Sequence, residues 1–188
     1  MSMRFGMLIY PGVSEYELGV FTSVLSYAKQ TRTDIEVCTL ARTRGSIQTS
    51  GGLVLTPHYA FPSAPEFTVL MVPSGTQTQK HARDPLTKQY LQNHPTHYAA
   101  VGSGIVFLGE SGQIKNKEVS TSLELESLVW KYEPLDVQTA SFAKFAGNYF
   151  AESQGQVLEL AYSVIEDHFD AGIYGLVRSK FGAGLSSG

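Results

Sequence analysis

The chain has 188 residues, 43% of them hydrophobic and 16% charged, with a formal charge of −3. That suits one globular domain, long enough to bury roughly two-thirds of its unfolded surface, and excludes a disordered chain. Lys and Arg form no dense run, which argues against nucleic acid or an anionic membrane as partner, and the single cysteine, Cys38, excludes an intrachain disulfide and a multi-cysteine metal site.

The first apolar run, "FGMLIY" at 5–10, is closed by Pro11-Gly12. It reads as a strand buried on both faces and ends too early for a signal peptide. In "SEYELGVFTSVLSYAKQ", Ser14 and Glu17 have capping-box spacing, and Leu18, Phe21, Leu25 and Ala28 recur at helical spacing. "DIEVCTLA" is a second strand, "GSIQTSGGLVLTP" a hairpin around Ser50-Gly51-Gly52, and "TVLMVPSG" a third buried strand ending in a turn. "DPLTKQYLQNH" is a helix with Asp84 as cap and Pro85 at its first position.

"HYAAVG" is the next strand, and "SGIVFLGESG" is a helix closed by Gly112. "KEVSTS" is a short strand, and "LELESLVWKY" a helix that stops before Pro134. "SFAKFAGNYFAES" is a second hairpin, turning at Gly147-Asn148, and "QVLELAYSVIEDHF" the last long helix. "GIYGLVRSKF" adds a further helix, so one domain is expected over 4–181, with a loose tail at 182–188. No apolar run approaches the roughly 20 residues that span a bilayer, and a chain without disulfides suits a reducing compartment; the expected location is the cytoplasm.

Strands alternate with helices, which predicts an α/β three-layer sandwich: a mostly parallel central sheet with helices on both faces. Ligands of such sheets bind at the carboxyl ends of the strands. That singles out the turns after Tyr10, Pro73 and Val101, the last of which runs strand–Gly102-Ser103-Gly104–helix, the form of a nucleophile elbow. No Walker motif is present and Gly102-Ser103-Gly104 lacks a third glycine at dinucleotide spacing, so no nucleotide cofactor is expected. No pair of histidines or carboxylates has ligand spacing on a recognisable element, so no metal is expected either.

The order "IYPGVSEYELGVFTSVL", "LARTRGSIQTSGGLVLTP", "VLMVPSGTQ", "AAVGSGIVFLGESGQIKNKEVSTS" and "FAESQGQVLELAYSVIEDHF" resembles the ThiJ/PfpI superfamily. The likeness is to the branch of isonitrile hydratases and the amidase-like N-terminal domains of certain transcription regulators. It implies a flavodoxin-like, class I glutamine amidotransferase-like fold, a homodimer, and a pocket at the elbow. Family members usually carry a cysteine at the position held here by Gly102, and many carry a histidine at the position held by Ser122. The acidic residue of the first helix is retained as Glu17, and the family's Pro-Gly-Gly turn is Pro73-Ser74-Gly75 here. The resemblance thus implies a fold whose thiol and imidazole are both gone. Cysteine-dependent amidase, protease, redox and glyoxalase activities are therefore not expected. Regulator relatives carry a separate DNA-binding domain after this one, whereas this sequence ends at Gly188, so DNA binding is not expected.

Each candidate residue has two readings. Cys38, mid-strand, is a buried core residue or a displaced thiol; a reactive one needs an exposed, electropositive site. Ser103 is a nucleophile, if a base lies within hydrogen-bond reach, or a helix cap or ligand contact. Glu17 is half of a capping box, or, as the resemblance implies, a carboxylate under the elbow whose burial raises its pKa and suits it to proton transfer. The amides of Ser103, Gly104 and Gly75 form an anion or carbonyl site, with Ser74, Thr76 and Gln77 as polar walls. Tyr16 lines the pocket, or belongs to the core or a dimer interface. Two functions follow: binding or sensing of a small molecule at the Gly102 elbow, or cofactor-free hydratase, lyase or isomerase chemistry by Glu17.

Overall fold

The structure, a computed structural model, describes residues 2–182. The tail expected at 182–188 therefore falls, from 183 on, outside the described residues. The elements are β1 (Met3–Leu8), α1 (Glu15–Lys29), β2 (Ile35–Ala41), β3 (Ile47–Gln48), β4 (Val54–Leu55), β5 (Tyr59–Ala60) and β6 (Val69–Val72). Then come α2 (Thr78–Ala82), α3 (Pro85–Asn93), β7 (His97–Val101), α4 (Ile105–Glu110), β8 (Glu118–Ser120) and α5 (Leu123–Val129). The chain continues through β9 (Asp136–Gln138), β10 (Phe142–Phe145), β11 (Asn148–Ala151), α6 (Val157–His168) and α7 (Ala171–Phe181).

Seven strands form the central sheet in the order β10-β11-β7-β6-β1-β2-β5. Every neighbouring pair is parallel except β10–β11, the expected second hairpin. The first expected hairpin forms as β3–β4, apart from this sheet. Side chains alternate across β1, and the alternation defines the layers. Phe5 lies against His168 and Phe169, with ring centroids 5.6 and 5.9 Å away, and the Thr22 hydroxyl of α1 donates to Met7 Sδ at 3.2 Å. On the other face Tyr10, just past the strand, packs on His81 of α2 and Phe107 of α4. One face thus carries α1, α6 and α7, the other α2, α3 and α4, which is the predicted three-layer sandwich.

The two middle strands are apolar because both of their faces are covered. Val69, Leu70, Met71 and Val72 of β6, and Tyr98, Ala99, Ala100 and Val101 of β7, are all buried. Each large side chain so buried stabilises the fold by roughly 1.5–3 kcal/mol. Three pieces were not expected from the sequence. α2 lies in the polar stretch after the third strand; β5 adds an edge strand beside β2; β9 pairs in parallel with β8.

The parallel register brings the carboxyl ends of β1, β6, β7 and β11 side by side. The turn after β1 is stitched to the turn after β6: Ser14 N–H donates to the Ser74 carbonyl at 2.9 Å and Thr76 N–H to the Gly12 carbonyl at 3.0 Å. The β3–β4 hairpin is tied to the same turn, with Gly12 N–H donating to Gln48 O and Ser50 N–H to Val13 O, both at 2.9 Å.

Candidate functional site

The elbow forms where the sequence places it. β7 ends at Val101 and a 3-10 turn, Gly102–Gly104, leads into α4. Gly102 has φ +51°, the left-handed region that glycine enters without Cβ strain. Space is not what requires glycine there. A Cβ on Gly102 would meet Ser74 Cβ at 3.5 Å and the Glu152 carbonyl oxygen at 3.6 Å, ordinary contacts. Gly104 and Gly75 are different. A Cβ on Gly104 would collide with the Val72 carbonyl oxygen, and one on Gly75 would come within 2.6 Å of the Gly12 carbonyl oxygen.

Above the elbow lies an open cleft of about 690 Å³, bounded by Ser74, Gly102, Ser103 and Ser122, with Glu124 and Glu152 also in its wall. Ser122 is the N-cap of α5, yet its side chain makes no capping hydrogen bond, which leaves the hydroxyl to the cleft. Glu152, at the end of β11, and Glu124, on the first turn of α5, were not singled out from the sequence. The "FAES" segment reads as the end of a hairpin, and only the parallel pairing of β11 with β7 carries it to the elbow.

Glu17 sits under the cleft, 0% exposed. Its Oε2 accepts the Ser74 N–H at 2.7 Å and its Oε1 accepts the Ser74 hydroxyl. Burial pushes its pKa up, more than these two hydrogen bonds from Ser74 pull it down. The expected capping box forms only by half. Ser14 Oγ accepts the Glu17 N–H at 3.3 Å, but the Ser14 N–H goes to Ser74 O, so the carboxylate turns to Ser74 instead. In the turn after β6 the Ser74 N–H is taken by Glu17 and the Thr76 N–H by Gly12 O; neither is among the amides of Ser103, Gly104 and Gly75 expected to form the anion site.

Ser103 does not cap α4; the N-cap is Gly104, without a side-chain bond. Its hydroxyl lies 2.8 Å from Thr78 Oγ1. Thr78 has one hydroxyl proton and gives it to Gly75 O at 2.9 Å, so Ser103 donates to Thr78. Tyr10, whose phenol donates to Pro73 O at 2.7 Å, closes the group at 3.3 Å from Thr78 Oγ1. Burial raises the Tyr10 pKa, so it stays protonated. Among the described residues no imidazole or carboxylate hydrogen-bonds Ser103, and a serine without a base is a weak nucleophile. Cys38 is buried mid-strand in β2, its thiol pKa pushed up to about 12 by burial first and Glu36 second.

The structure therefore gathers Ser74, Gly102, Ser103 and Ser122 at one cleft, with Glu17 beneath them. It sets the other candidates apart. Tyr16 is 55% exposed and outside the cleft wall. Thr76 and Gln77 are exposed and also outside it, because they belong to the turn that packs on Gly12. Gly75 and Gly104 serve close backbone packing. Among the described residues no group of three or more His, Cys, Asp or Glu is placed to hold a metal, and no helix is long and apolar enough to cross a membrane.

No protein-family model and no curated protein matches the chain. Solved structures do. A ThiJ/PfpI family protein from Pseudomonas syringae superposes with TM-score 0.87 at 18% identity, over 97% of this chain and 76% of that one. Schizosaccharomyces pombe DJ-1 gives 0.81 at 10% identity, over 96% of this chain and 100% of its own. An AraC family transcriptional regulator from Pseudomonas putida gives 0.78 at 18% identity, over 96% and 100%. The fold expected from the sequence is thus the fold observed, that of the ThiJ/PfpI and DJ-1 proteins.

Proposed function

We propose that the protein binds a small polar molecule in the cleft above Gly102 and acts as a binding or sensing protein, not as a cysteine- or serine-type hydrolase. One observation carries this reading. Gly102 bears no side chain and leaves an open cleft lined by four serines, Ser74, Ser103, Ser122 and Ser153, while the acid beneath is sealed by Ser74. The cleft wall holds two carboxylates, Glu124 and Glu152, and no basic side chain. A neutral amide or an amine therefore suits it better than an anion, which would face like charge. The fold likeness to an AraC family transcriptional regulator fits a sensing role.

The test is a ligand screen of small amides and amines read by thermal shift, repeated on Ser122→Trp, which fills the cleft. Hits that vanish in this variant support the reading; hits that persist at full strength overturn it.

A second reading, acid/base catalysis of a hydratase type by Glu17, is favoured by Ser74, whose hydroxyl both touches the cleft and donates to the carboxylate. A proton could pass through that hydroxyl without Glu17 meeting the substrate. Turnover of a bound ligand that is lost in Glu17→Gln supports it; binding without turnover in the unaltered protein leaves the first reading.

A homodimer is part of the proposal. Tyr16, Leu53 and Val54 are 55%, 57% and 68% exposed, and Ser50 ties their hairpin to Glu15 of α1 at 2.8 Å. Sedimentation should show a dimer that Val54→Asp weakens.

A further inference from the structure

A second cavity lies on the other side of Tyr10, apart from the elbow cleft. Its volume is about 470 Å³, inside the ~300–1,000 Å³ range of small-molecule pockets. Its floor is apolar, built from Leu8, Ile47, Phe61 and Phe107. Its rim carries three cations, Arg42, Lys80 and Arg83, against one carboxylate, Asp84. Arg42 pairs with Asp84 at 2.9 Å, and Arg83 reaches outward to Glu110 at 3.1 Å. The Lys80 ammonium contacts only the Gln77 amide oxygen, at 3.4 Å, and pairs with no carboxylate among the described residues.

His81 stands between them. Its ring is held against Tyr10, 5.6 Å between centroids, and its Nε2 is buried without a hydrogen-bond partner. Buried polar atoms are normally paired, and an unpaired one costs stability. Burial first, then the neighbouring Lys80, hold the imidazole pKa below its usual value, so the ring is neutral at neutral pH. An apolar floor and an excess of positive charge on the rim together describe one kind of guest.

We propose that this cavity binds a compact organic anion, an aromatic or branched aliphatic carboxylate. Its apolar body rests on Leu8, Ile47, Phe61 and Phe107, and its carboxylate faces Lys80 and Arg42, while the His81 Nε2, buried out of its reach, only helps to shape the wall. Ligand charge separates this site from the acidic elbow cleft.

The test is a heteronuclear NMR titration with phenylacetate and, as a cation with the same ring, phenethylamine. Phenylacetate should give saturable shifts at Ile47, Lys80 and His81, and phenethylamine should not. Lys80→Gln, at an exposed position, should weaken phenylacetate binding about threefold. His81→Phe, which removes a buried nitrogen that the ligand does not touch, should leave affinity unchanged while unfolding at equal or higher denaturant. Ser122→Trp should change nothing, which keeps this site separable from the cleft. The proposal is overturned by equal binding of the amine, by shifts at Ser103 and Ser122 instead, by unchanged affinity in Lys80→Gln, or by no saturation up to about 10 mM.

Discussion

Two cavities open near the same end of the sheet, and they differ in charge, polarity and enclosure. The elbow cleft is shallow, walled by hydroxyls and two carboxylates. The cavity beyond Tyr10 has a greasy floor, a basic rim and an unpaired imidazole nitrogen. Backbone explains the first and side chains the second. The cleft exists because four strand ends converge and Gly102 projects nothing into the gap. The other cavity exists because α2, which follows the β6 turn, holds Lys80 and His81 opposite the loop after β2 that carries Arg42. The shape of the first site is therefore set by the backbone, whereas the second depends on the identity of each residue around it.

The sharpest way to break the comparison is Gly104→Ala. The new methyl would drive into the Val72 carbonyl, so the variant should lose about 3 kcal/mol of stability. Urea unfolding measures this. A loss near zero would mean that the elbow does not pack on β6 as described.

Glu17→Gln comes next. An amide presents one acceptor where the carboxylate presents two, and Ser74 needs both, so the cost should be about 2 kcal/mol. The pH dependence has a definite sign. Burial raises the folded pKa above the ordinary 4.5, so the folded state holds this proton more tightly than the unfolded chain. The group's contribution is full below 4.5 and is lost as pH rises through the raised folded value. The stability gap between the unaltered protein and Glu17→Gln should thus shrink as pH rises above the ordinary 4.5 and through the raised folded value. A gap that widens would mean the carboxylate is held ionised.

Gly102→Cys sharpens the comparison from the cleft side. The space for a Cβ is there, so the strain of a side chain at φ +51° should cost only about 1 kcal/mol. The variant should gain one thiol that iodoacetamide labels in the folded state, while Cys38, buried and with its pKa pushed up to about 12, stays unlabelled. Labelling of both thiols would place Cys38 within reach of solvent.

The smallest effect belongs to Arg42→Gln on the rim of the second cavity. Its pair with Asp84 is more than half exposed on the arginine side, so stability should change by less than about 1 kcal/mol. A larger loss would show that the rim is structural and not a landing place for a ligand.

Much of this was legible in the chain alone. The apolar runs of β1, β6 and β7 could only be strands covered on both faces. Pro11-Gly12 marked where the first one ends, Ser14 marked the start of α1, and Gly102-Ser103-Gly104 marked the elbow. These signals are local, carried by residue type and spacing over a few positions. α2, β5 and β9 were illegible for the opposite reason. They run for five, two and three residues, too few for a period to show, and they form because neighbours dock on them. The partners of the site were hidden likewise. Ser14 and Glu17 have capping-box spacing, but Ser74, distant in sequence, competes for both. Glu152 reaches the cleft through the pairing of β11 with β7, and His81 is left unpaired by what surrounds it. Hydrophobic pattern and turn chemistry determined the architecture and the place of the elbow. Which hydroxyl meets which carboxylate, and which buried atom is left without a partner, was decided only when strands far apart in the chain came into register, because a hydrogen bond or a cavity wall depends on distance in space and leaves no period in sequence.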